Sequence, residues 1–128
     1  MSVSYKPAGY TSVAPYLVVD GAVKVVDFLV TVFGAEKLRI YAAEGGRLHH
    51  AEVRIDDTVV MLADALEGFS AVASHVHIYV KDVDATFKKA IAAGATSVQE
   101  PLKKDDADKR GGFRDASGLT WWVGQQME

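Results

Sequence analysis

His75 and His77 stand two residues apart in Ser74-His75-Val76-His77-Ile78-Tyr79-Val80, and His50 and Glu52 have the same spacing in Leu48-His49-His50-Ala51-Glu52-Val53-Arg54-Ile55. In an extended chain residues i and i+2 point to one side, so each pair is presented together. Imidazole and carboxylate groups presented in this way can transfer protons near neutral pH. They can also hold a divalent ion of borderline character, such as zinc, nickel or iron. Tyr79 extends the first set and Arg54 the second. Each has a plainer reading: a histidine on a half-exposed strand is commonly a solvated or hydrogen-bonded residue, and Glu52 with Arg54 reads most simply as a surface ion pair of little energetic weight. The chain has no cysteine, which removes disulfides, thiolate nucleophiles and Cys-based metal centres.

Strands must carry these groups, and their alternation predicts which face each side chain takes. Val76, Ile78 and Val80 form an aliphatic set suited to packing under a helix, leaving His75, His77 and Tyr79 on an open face. Ala51, Val53 and Ile55 are the buried set of their strand, so His50, Glu52 and Arg54 face the other way. The same logic sends Val13, Pro15 and Leu17 to the open face of the first strand. Met61 and Trp122 are assigned to it from strands that are apolar on both sides. The expected result is a concave surface with apolar walls and few convergent polar groups, the character of a small-molecule site.

The elements repeat. Ser12-Val13-Ala14-Pro15-Tyr16-Leu17-Val18-Val19-Asp20 reads as a strand that leads into a helix through Val23, Val26, Phe28, Val30 and Phe33, stopped at Gly34-Ala35. Sixty-two residues on, Ser74 to Asp82 has the same shape, with a helix through Val83, Phe87, Ala90 and Ile91 stopped at Gly94-Ala95. Asp20 and Asp82 are candidate N-caps, and Gly34 and Gly94 suit the left-handed end position. The many β-branched valines of the first helix also allow a strand; the repeat decides for helix. Three strand candidates follow each unit: 37–43, 48–55 and 58–63, then 97–102, about 109–114, and 119–123. Residues 44–47 and 56–57 form hairpin turns, and 115–118 turns into the last strand. Glu67 to Ala73 is the expected linker. The run 103–112, KKDDADKRGG, reads as a solvated loop, with cover for a ligand site as the alternative.

The length, 128 residues, fits one domain (1–128) built of two modules, about 11–66 and 73–124. A net charge of −3 without a basic patch argues against nucleic-acid binding. Neither a signal-peptide run nor an apolar stretch of roughly 20 residues is present, so no membrane partner and a cytoplasmic location are expected.

Four stretches carry a resemblance: residues 10–19 (YTSVAPYLVV), 50–55 (HAEVRI), 59–64 (VVMLAD) and 77–85 (HIYVKDVDA). Together they resemble the PhnB-like branch of the vicinal oxygen chelate superfamily, which includes glyoxalase I, extradiol dioxygenases and bleomycin-resistance proteins. The likeness runs from about Tyr10 to Gly124. It implies an α+β fold of paired βαβββ modules whose curled, mostly antiparallel sheets surround a concave cavity. It also implies a homodimer that closes its cavities across a two-fold interface. Superfamily enzymes hold a divalent metal from the first and last strand of each module, and the repeat places those positions at Val13, Met61, His75 and Trp122. Only His75 suits such an ion, so the inherited metal site and any cofactor are expected to be absent. A displaced site from His50, Glu52, His75 and His77 is the alternative. The sequence departs from the branch pattern twice: Asp106-Ala107-Asp108-Lys109 replaces a Trp-Gly-Asp-Arg-like run, and Asp115-Ala116-Ser117-Gly118 replaces an Asp-Pro-Phe-Gly turn.

The leading expectation is a metal-independent small-molecule binder, with His50, Glu52, Met61, His75, His77, Tyr79 and Trp122 lining a dimeric aromatic cavity. A planar and even cationic ligand suits aromatic faces. The alternatives are a lyase-, isomerase- or dioxygenase-type enzyme using the displaced metal or His75 or His77 as base, and a dimer that serves only as an interaction or regulatory module.

Overall fold

Period-two runs separated by turn residues build the strands, and two amphipathic stripes build the helices. The computed structural model describes residues 3–128; Met1 and Ser2 lie outside the described residues. The first module comprises β1 (Tyr16–Val19), α1 (Ala22–Phe33), β2 (Glu36–Ala42), β3 (Leu48–Ile55) and β4 (Thr58–Asp64). The second comprises β5 (His75–Tyr79), α2 (Val83–Ala92), β6 (Thr96–Lys103), β7 (Asp108–Arg114) and β8 (Thr120–Gln126). Each module makes its own four-stranded sheet, in the order β1-β4-β3-β2 and β5-β8-β7-β6. In each sheet one pair, β1–β4 or β5–β8, is parallel and the others are antiparallel.

The valine-rich segment is a helix because its apolar residues fall on one stripe: Ala22, Val25, Val26, Leu29 and Val32 are all buried, a spacing of three and four. Its start differs from expectation. Asp20 does not cap α1; Gly21 occupies that position in the left-handed conformation, φ 89°. The cap comes from β4, where Asp64 Oδ1 accepts the N–H groups of Gly21 (2.8 Å) and Ala22 (3.0 Å). Asp82 does cap α2, accepting from Ala85 N at 3.0 Å. Gly34 and Gly94 have positive φ at the helix ends, as expected.

The two caps align the modules at an offset of 61 residues rather than 62. A one-residue slip moves a whole strand to its other face, and it did so for β1. Leu17, expected on the open face, is buried in the core with Val19, while Tyr16 and Val18 face the open side beside Met61 and Ala63. Val13 and Pro15 precede the strand, and Val13 is 84% exposed.

One hydrophobic cluster spans both modules. The helices meet between the sheets, and Phe28 and Phe33 of α1 reach across to Phe113 (5.9 and 6.2 Å between centroids), with Phe33 also 5.9 Å from Trp121. Each sheet therefore has one face in this shared core and one left open. The linker follows β1, with Val72 N donating to Val18 O at 3.1 Å. The run 103–112 is corrected as well: only residues 104–107 lie outside strands, and Asp108 to Gly112 belong to β7.

Candidate functional site

The open face of the first sheet is organised around a buried carboxylate. Glu52 is only 4% exposed. Its Oε1 accepts from the Tyr10 hydroxyl at 2.5 Å, and its Oε2 lies 2.8 Å from His50 Nε2. Burial alone would raise the Glu52 pKa, but the hydrogen bonds from Tyr10 and His50 outweigh it and hold the group below the usual carboxylate range. Tyr10 moves the opposite way: burial and then its bond to Glu52 push the phenol up. Around this centre Tyr16 and Tyr41 flank the His50 ring at 5.6 and 6.2 Å, and Arg39 lies 5.5 Å from the Tyr10 ring centre. Met61 pairs with Glu52 across β3–β4 and with Tyr16 across β1–β4. The expected Glu52–Arg54 ion pair does not form. Arg54 instead binds Glu36 at 3.1 Å and the Gly9 carbonyl at 3.1 Å, because Glu52 is already satisfied by two nearer partners.

The open face of the second sheet carries His75, His77 and Tyr79 of β5 as expected, with Trp122 beside them on β8. Trp122 Nε1 donates to His75 Nδ1 at 3.0 Å, and the two rings lie side by side and nearly coplanar, 6.2 Å between centroids and 11° between planes. His77 lies edge-on to Tyr79, 4.8 Å between centroids. Two glycines make this packing fit. A Cβ on Gly112 would sit 2.6 Å from the Trp122 ring, and one on Gly124 would sit 2.9 Å from His77 Nε2.

The stretch read as a solvated loop supplies the polar centre of this face. Asp108, 8% exposed, accepts from the Tyr79 hydroxyl at 2.7 Å and from Arg110 Nη2 at 3.0 Å. Arg110 Nη1 binds Asp106 at 3.2 Å, and Arg110 Nε donates to His77 Nε2 at 3.3 Å. Burial first, and then the Arg110 charge, lower the His77 pKa; Asp108 works against them. The bond to Asp108 raises the Tyr79 phenol. Asp108 and Arg110 have the same spacing of two as His75 and His77, but the surrounding charge density masks it in the sequence. Tyr10 sits in an irregular segment with no periodicity to reveal it.

The expected site residues thus form two groups. His50, Glu52 and Met61 are on the first sheet; His75, His77, Tyr79 and Trp122 are on the second. The four-residue displaced metal site does not assemble within the chain, since its halves lie in separate sheets. Among the described residues no three of His, Cys, Asp or Glu come together to hold a metal ion. At the family positions, the corrected 61-residue offset replaces Val13 by Ala14, which also offers no ligand atom. The residues at those four positions do not fit a divalent ion.

Neither of the two main cavities combines the two faces. The larger, about 570 Å³, lies between the start of α1, the end of α2 and the Asp115–Ser117 turn. A smaller one, about 280 Å³, opens on the first sheet between Tyr16, Val18, Ala63, Leu66 and Phe69. No helix is long and apolar enough to cross a membrane among the described residues.

Residues 10–123 match the model of the glyoxalase/bleomycin resistance protein/dioxygenase superfamily. The uncharacterized protein Mb0911c of Mycobacterium bovis is 34% identical over 138 aligned positions, covering 99% of this chain and 88% of the relative. The crystal structure of TioX from Micromonospora sp. ML1 superposes with a TM-score of 0.78 at 27% identity, covering 91% of this chain and 98% of TioX. TnmS3, an antibiotic binding protein from Streptomyces sp. CB03234, shares the fold with a TM-score of 0.68 at 21% identity, covering 91% of this chain and 97% of TnmS3.

Proposed function

The chain belongs to the glyoxalase/bleomycin resistance protein/dioxygenase superfamily, and from that premise we propose that it is a metal-independent binder of small planar molecules, working as a homodimer of the PhnB-like type. The observation that carries this reading is that both sheets leave one face uncovered, and each uncovered face holds neighbouring aromatic and imidazole rings around a satisfied polar centre. Bringing the first sheet of one subunit against the second sheet of another joins the half-sites into one cavity. His50, Glu52 and Met61 then oppose His75, His77, Tyr79 and Trp122, giving apolar walls with few polar anchors. The antibiotic-binding role of TnmS3 illustrates what this fold accommodates. The donor sets favour binding without metal, because His75 alone among the family positions carries a nitrogen ligand.

The test is direct. Light scattering should give twice 13.8 kDa, and a thermal-shift screen of planar heteroaromatics should return stabilising compounds. Trp122→Ala should weaken any such compound about tenfold or more, since a buried aromatic contact is worth on the order of 1–2 kcal/mol. A monomer that binds nothing in the screen would sink the proposal.

A further inference from the structure

The two imidazoles of the second sheet each have one ring nitrogen facing an obligate donor. Arginine and the indole N–H can only donate. Arg110 Nε points at His77 Nε2 (3.3 Å) and Trp122 Nε1 at His75 Nδ1 (3.0 Å), so those two nitrogens must be unprotonated acceptors. The remaining proton of each neutral ring is then fixed: on Nδ1 for His77 and on Nε2 for His75. A metal-ligating histidine needs the reverse arrangement, with its second nitrogen protonated and donating to a carboxylate, carbonyl or water.

We infer that this face is a hydrogen-bond donor surface, with His77 Nδ1–H and His75 Nε2–H as specificity-determining groups selecting a planar ligand that bears carbonyl-type acceptors. This rests on the small-molecule reading above and specifies the ligand class. It replaces the expectation of a cationic ligand: a cation brings no acceptor and meets two N–H groups. The clamp is built to hold its state. Arg110 is anchored by two carboxylates, Asp106 at 3.2 Å and Asp108 at 3.0 Å, and Asp108 is itself held by Tyr79 at 2.7 Å. The His77 ring is confined between Tyr79 and the bare Cα of Gly124. A general base acting through His77 Nε2 is incompatible with this arrangement, because its lone pair is already taken.

The experiment uses the full chain labelled with nitrogen-15 at histidine. Ring-nitrogen NMR at neutral pH should show His77 protonated at Nδ1, the less common tautomer of free imidazole. Arg110→Met, which keeps the stem and removes the donor, should return His77 to the Nε2–H form; a merely structural arginine would leave the tautomer unchanged. If that variant fails to fold, the wild-type spectrum decides alone. Two bicyclic probes of similar size then test the ligand class: coumarin, which accepts hydrogen bonds, and the N-methylquinolinium cation. Coumarin should bind about tenfold more tightly and shift the His77 Nδ1 resonance. An Nε2–H or doubly protonated His77 overturns the inference, as does equal or tighter binding of the cation, even when the protein proves to be a binder. Failure of both probes overturns the ligand class; failure of every compound in the broad screen overturns the binding reading beneath it.

Discussion

A carboxylate is an expensive group to bury, and Glu52 is tolerated because both of its oxygens have donors. The consequence is a pH dependence with a definite sign. The folded-state pKa of Glu52 lies below its unfolded value, so its contribution to stability is present above the unfolded carboxylate range of about 4.3 and is lost as pH falls through the folded value. Asp64, held low by three backbone N–H donors that outweigh its burial, follows the same sign. Urea titrations at a series of acidic pH values should therefore show stability falling below about pH 4, and Glu52→Gln should flatten part of that fall. A variant with an unchanged acid slope would mean that the Tyr10–Glu52–His50 arrangement is not the source. This centre was only half legible in the sequence. His50 and Glu52 share a strand spacing that the sequence shows, whereas Tyr10 arrives from an irregular segment, and Arg54 pairs with Glu36 across the β2–β3 ladder rather than with the charge nearest in sequence.

Helix α1 starts on a borrowed cap, and this is the clearest case of a local rule yielding to tertiary structure. Asp20 has the right residue type in about the right place, but Gly21 takes the cap position, and Asp64 reaches in from β4 to accept from Gly21, Ala22 and Leu48, the last at 2.8 Å. Removing Asp64 leaves three N–H groups short of a partner, of which those of Ala22 and Leu48 are buried and cost about 1–2 kcal/mol each. Asp64→Ala should thus cost about 2–4 kcal/mol, while Asp20→Ala, at an exposed position, should stay within about 0.5 kcal/mol. Chemical denaturation of the two variants side by side separates them; equal losses would restore Asp20 as the cap. The existence, type and order of the elements were readable from periodicity and the repeat. Register was not: helix α1 is two residues longer than α2, so the helix stops aligned at one offset and the starts at another. That slip inverted β1 and hid Tyr16 and Val18. Likewise, the charge density of 103–112 concealed a strand whose alternation, Asp108 and Arg110 outward and Phe113 inward, emerges only once β8 is beside it.

At the scale of the molecule, the same arrangement explains both the shared core and the open faces. Each module has one helix, and one helix covers one face of a four-stranded sheet. Here both helices lie between the sheets, so the covered faces join and the polar-aromatic faces remain outside. The junction is aromatic: Phe113 of the second module touches Phe28 and Phe33 of the first and Phe87 of its own helix, at 5.9, 6.2 and 6.1 Å, and it is fully buried together with Trp121. Each module thus supplies part of the other's core, and neither half should fold alone. Phe113→Ala removes a ring packed against three others, which typically costs about 3–5 kcal/mol. Because the ring bridges modules, that loss should appear as one cooperative transition shifted to lower urea, with tryptophan fluorescence from the second module and circular dichroism from both moving together. Two separated transitions, or a separately expressed first module with native-like dispersion of its NMR spectrum, would show the modules to be independent. Coupling of this kind gives the open faces a rigid base. Residues placed on different sheets then keep a fixed relation within the chain, as the proposed two-subunit cavity requires.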